Sequence, residues 1–123
     1  MPPKRRTDPA AGRAAVQIWR ASGRDVDRAT RATAVRFTLE QLAAAAPGHT
    51  LEVRVPPYGV TQCVAGPRHT RGTPPNVIET DADTWLALAT GATSWADAVR
   101  SGSVRASGER ADLSGLLPVD VYG

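Results

Sequence analysis

The feature that most constrains this chain is a change of period at Pro47-Gly48. Before it, Val35, Leu39, Leu42 and Ala46 fall at intervals of four, three and four, which places them on one face of a helix. After it, Leu51, Val53 and Val55 alternate with Glu52 and Arg54, the pattern of a strand with one buried face. Pro47-Gly48 is itself a firm helix stop. A chain that switches from one period to the other must fold as a mixed helix-and-sheet domain, with each apolar face buried against the other.

The remaining elements follow from stops and caps. Asp8-Pro9 predicts a helix start, with Asp as cap and Pro in the first turn. That helix carries Ala15, Ile18 and Trp19 at helical spacing and ends at Ser22-Gly23. Asp25 or Asp27 caps the second helix. Pro56 to Gly59 is a turn, and Val60, Gln62 and Val64 share one face of the next run, which pairs antiparallel with the Leu51–Val55 strand. Residues 66–75 form a long polar loop, and 76–79 a third strand. Thr80-Asp81-Ala82-Asp83 has the form of a capping box before a helix with Trp85, Leu86, Leu88 and Ala89, closed by Gly91. Ser94 to Asp97 repeats the capping pattern, Gly102 stops that short helix, and Val104 to Ser107 reads as another strand. A last helix is expected over 111–117, with Leu113, Leu116 and Leu117 apolar and Pro118 ending it.

Composition matters because it shows how thin the core material is. Hydrophobic residues make up 41% of the 123, but twenty-one of them are Ala and six are aromatic. Each large apolar side chain therefore counts. The length suits one domain, read here as a disordered basic tail over 1–7 and a single domain over 8–123. Charge is uneven: residues 1–36 hold nine of the fifteen Lys/Arg against three acids, while 37–123 hold six against nine. A basic third of this kind favours an acidic partner or an anionic surface, or is simply a solvated helix face. Nucleic-acid binding is not expected, since only Trp19 offers a stacking platform there.

The sequence offers little catalytic chemistry. The single cysteine, Cys63, excludes an intrachain disulfide and is read as a buried, inert thiol. With His49 and His69 it has no metal-ligand spacing, so no metal and no cofactor are expected. The acids at 79, 81 and 83 are explained by helix capping, and no nucleophile–base pair can be named, so an enzyme is not expected. No run of about 18 apolar residues exists to span a membrane, and no secretory signal is read at the basic start. A cytoplasmic location is expected. Arg68, His69 and Arg71 are either a solvated loop or a grip for a carboxylate or phosphate at the mouth of a pocket.

The segments ETDADTWLALATG, SWADAVRSGSVRASG and ERADLSGLLP resemble the second half of sterol-carrier-protein domains, in particular a small stand-alone bacterial branch. The resemblance implies an α/β (α+β) domain, a mixed sheet of about five strands with helices covering one face; four of those strands are readable from the residues themselves. It also implies a hydrophobic cavity between sheet and helices, used for lipids, acyl chains or sterols. Leu39, Leu42, Val53, Val64, Trp85, Leu88, Leu113, Leu116 and Leu117 would line it. That arrangement requires the apolar residues of 76–117 to gather under the sheet in a β-α-α-β-α succession. An empty tunnel of roughly 300 Å³ would cost about 7 kcal/mol, on the order of a domain's whole stability. Such a tunnel must be occupied, collapsed or capped by another subunit. The expected function is non-catalytic carriage of an apolar small molecule. The alternative is an interaction module that forms a homodimer or docks on a partner through an apolar patch and the basic first helix.

Overall fold

The computed structural model describes residues 7–66 and 76–122. Helix α1 spans Pro9–Ser22, with Asp8 as cap accepting from the Ala11 N–H. A single 3-10 turn, Gly23–Asp25, leads into α2, Arg28–Ala45. Of the two acids that could cap α2, Asp27 does so, accepting from the Thr30 N–H at 2.8 Å. The Thr30 side chain, then its backbone N–H, hold that carboxyl below its ordinary pKa. Strands β1 (Leu51–Val55), β2 (Gly59–Cys63) and β3 (Asn76–Thr80) follow, then α3 (Ala82–Thr90), α4 (Trp95–Arg100) and β4 (Val104–Ser107).

Among the described residues the sheet has four strands, in the order β2-β1-β3-β4, rather than about five. β1 pairs antiparallel with β2, in the register Val53↔Thr61, and parallel with β3, in the register Val53↔Ile78. β3 pairs antiparallel with β4. Asn76 pins the start of β3 twice, donating to the Thr50 carbonyl and accepting from the Arg110 N–H.

Alternation sets the two faces of the sheet. Leu51, Val53 and Val55 are wholly buried, whereas Glu52 and Arg54 point away and form an ion pair. Helix α2 lies over the buried face, and its Val35, Phe37, Leu39 and Leu42 join β1 and α3 in one core. α1 packs on α2 at a close approach where buried Gly12 meets Phe37.

Three local expectations are corrected. Thr80 is not the cap of α3: it ends β3 and donates to the Ser103 carbonyl at 2.8 Å, while Asp81 caps the helix by accepting from the Thr84 N–H. On β2 Cys63 is buried, as expected, and Val60 on the opposite face points outward with 59% of its surface exposed; the expected strand falls short only at Val64. Val64 lies beyond the strand at φ 68°, strained for a β-branched residue. Two backbone bonds hold it there, Val64 N–H to the Ala46 carbonyl and Thr50 N–H to the Val64 carbonyl.

The third correction is the largest. Residues 111–117 form no helix; they make turns, so the succession over 76–117 is β-α-α-β, and the β-α-α-β-α order expected of the cavity arrangement fails at its last element. Asp112 accepts from the Ser114 N–H, and that bond, which also holds its carboxyl below the ordinary pKa, competes with helical pairing. Gly115 sits inside a seven-residue stretch already too short to sustain a helix alone. Leu113 nonetheless enters the core, and the chain runs on through residues 118–122 with Val119 and Val121 buried and Asp120 and Tyr122 exposed.

Candidate ligand-binding site

The nine residues expected to line a cavity come from five regions of the fold, Val64 from the stretch just after β2. Leu39 and Leu42 lie on α2, Val53 on β1, Trp85 and Leu88 on α3, and Leu113 in the turn after β4. Leu39 is 3% exposed and the other five have no exposed surface. Val64, Leu116 and Leu117 are half-buried and pack against the same cluster. The fold thus gathers all nine at a single core between the helices and the sheet.

The core contains more than those nine. Phe37, Leu51, Val55, Ile78 and Leu86 are wholly buried beside them. Leu51 and Val55 belong to the same alternation as Val53, so the strand pattern already marks them. Val119 and Val121 carry a weaker signal, two apolar residues alternating after Pro118 in a stretch with no other strand character.

Polar groups inside this core are paired. The Trp85 indole N–H donates to Thr38 Oγ1 at 2.8 Å, and the Thr38 hydroxyl donates to the Ala34 carbonyl at 2.7 Å. Burial pushes the Cys63 thiol up to about 11, well away from a reactive thiolate.

Among the described residues, surface clefts open at three other places, and none of these is lined by any of the nine. One of about 530 Å³ opens between the end of α1 and α3–α4, beside Trp19, Arg24, Asp83 and Asp97. Its carboxylates are already engaged. Asp83 accepts from the Trp19 indole and stands 3.6 Å from Arg31, and Asp97 is bound by Arg100. A second, of about 440 Å³, sits on the open face of the sheet around Tyr58, Val60 and Arg54. The third, about 390 Å³, lies between Pro56, Thr80 and Arg105.

Arg68, His69 and Arg71 lie outside the described residues. His49 is exposed and shares a hydrogen bond with Gln62 through Nδ1. Among the described residues no group of three His, Cys, Asp or Glu is placed to hold a metal ion, and no helix is long and apolar enough to cross a membrane.

Residues 27–119, about three quarters of the chain, match a sequence family described as bacterial SCP ortholog. A comparison with curated proteins finds no match.

Proposed function

The chain belongs to the bacterial sterol-carrier-protein-like family, and on that premise we propose that it carries an apolar small molecule, without transforming it, in the layer between helices and sheet. The observation that carries the reading is the convergence of Leu39, Leu42, Val53, Trp85, Leu88 and Leu113 on one core, with Val64, Leu116 and Leu117 at its margin. Residues 8–123 act as one unit in this reading, in the cytoplasm.

The energetics favour exchange over an empty tunnel. A permanent void would cost about 24 cal/mol per Å³, and this chain instead packs its own side chains into the space. A ligand burying about ten CH₂ groups contributes roughly 8 kcal/mol gross, enough to offset the displacement of a few Leu and Val side chains. Arg68, His69 and Arg71 would hold a carboxylate or phosphate end of such a molecule.

Organic extraction of gently purified protein, followed by mass spectrometry, should release a lipid in stoichiometric amount. Delipidated protein should rise in Tm with a fatty acid, an acyl-CoA or a sterol. Absence of both a bound lipid and any thermal shift overturns the reading.

One observation favours the second reading, an interaction module. The open sheet face presents Val60, 59% exposed, in the cleft with Tyr58. Light scattering that finds a stable dimer, lost on Val60→Glu, would favour docking over carriage.

A further inference from the structure

Among the described residues, every buried member of the core cluster lies in a helix or a strand except three: Leu113, Val119 and Val121. All three belong to one stretch, residues 111–122, which has no regular secondary structure. Leu116 and Leu117 of the same stretch pack against the core half-buried. One wall of the core is therefore a strap of irregular backbone carrying five large apolar side chains.

The strap is tied across all three long helices at its far end. The Val119 N–H donates to the Ala89 carbonyl of α3 at 2.9 Å. Gln41 of α2 donates from Nε2 to the Asp120 carbonyl, and Gln17 of α1 donates to the Tyr122 hydroxyl. These bonds to side chains and to a helix end replace the two-sided ladder that fixes β1. Local opening follows the fewest cooperative backbone bonds, so this wall yields before the helices or the sheet.

From this we infer that residues 111–122 are the displaceable wall of the carrier site. The strap plugs the space in the empty protein, and a single-chain lipid enters by taking the place of Leu116, Leu117, Val119 and Val121. These two Leu and two Val side chains make up an apolar volume on the order of one acyl chain, so plug and ligand are interchangeable fillings. The inference rests on the carrier reading above and adds the way in and the class of ligand.

The test ties the strap down reversibly. Gln17 and Tyr122 touch at the surface, so a Gln17→Cys, Tyr122→Cys pair can be joined by a short, reducible bismaleimide while Cys63 stays buried. Binding is read by the fluorescence of cis-parinaric acid. The expected result is binding to the unlinked variant, at least tenfold weaker binding after linking, and recovery on reduction. Equal affinity of linked and unlinked protein overturns the strap and leaves the carrier reading standing; no binding to either form, nor to the unmodified protein, overturns both. Hydrogen exchange on the unmodified, ligand-free chain gives a second check. The Val119 and Val121 amides should exchange well ahead of Val53, and equal protection overturns the inference.

Discussion

The indole N–H of Trp85 donates to the hydroxyl of Thr38 at 2.8 Å, and neither residue has any exposed surface. This bond joins α3 to α2 in the centre of the core. Thr38→Val keeps the shape and removes the acceptor, stranding a buried N–H at a cost of about 1–3 kcal/mol. Thr38→Ser retains the oxygen and loses one methyl, about 1 kcal/mol. Urea denaturation should rank wild type above Ser and Ser above Val. Adding Trp85→Phe to Thr38→Val should cost less than the sum of the two single changes, because no donor is then left unpaired.

Gly12 lets α1 lie against Phe37 of α2. A Cβ at position 12 would stand 2.7 Å from Phe37 Cβ and closer still to its ring, and Phe37 is wholly buried. Ala is favoured over Gly in a helix by about 1 kcal/mol. The overlap with an immovable ring costs about 1–3 kcal/mol, so the wedge wins. Gly12→Ala should lower stability in thermal or urea unfolding. Gly12→Ala with Phe37→Leu should recover part of the loss; an unchanged or raised Tm for Gly12→Ala alone would show that the helices separate freely.

Asp83 joins three elements. It accepts from the Trp19 indole of α1 at 2.9 Å and stands 3.6 Å from Arg31 of α2, whose buried Nε has no hydrogen-bond partner among the described residues. Asp83→Ala leaves the indole without its acceptor and removes the carboxylate beside the Arg31 guanidinium, and should cost about 1–3 kcal/mol. Asp83→Asn keeps an oxygen for Trp19 and should cost less. Equal losses for Ala and Asn would mean that the charge on Arg31, rather than the Trp19 bond, decides the effect. Trp19 fluorescence should change in both variants.

How much of this was legible follows from how local each signal is. The helix stripe of 35–46, the alternation of 51–55 and the Ser94 cap are settled by neighbours in sequence, and each forms where its pattern lies. The Thr80 cap was misplaced by one residue because Asp81 offers a better acceptor and β3 claims Thr80 through the Ser103 carbonyl. The apolar positions 113, 116 and 117 suggest a helix by spacing. They fail to form one because Asp112, Ser114 and Gly115 favour turns, while burial of Leu113 needs no helix. Val119 and Val121 carry only a weak alternation for the opposite reason: their burial is set by Ala89 and Gln41, far away in the chain. The core positions on helix and strand follow from their patterns, whereas on the strap Leu113, Leu116 and Leu117 are named through a helix that does not form, and Val119 and Val121 are not named.

Cys63 provides a prediction in pH. Its thiol is wholly buried at the end of β2, and burial raises it from 9.0 to about 11. The neutral form is the one the fold prefers, so the unfolded chain gives up its proton first as pH rises. The contribution to stability is therefore complete below pH 9, and it is lost as pH climbs through 9 towards 11. Cys63→Val removes the titrating group while keeping a buried apolar side chain of similar size. Between pH 9 and 11, the stability of wild type should fall more steeply than that of the variant, with the two curves parallel below pH 9. A thiol reagent at pH 8 should label the native protein only as fast as it opens, and at full rate in urea. Parallel curves across the whole range, together with fast native labelling, would mean that the thiol is open to water and that this end of the sheet is not closed.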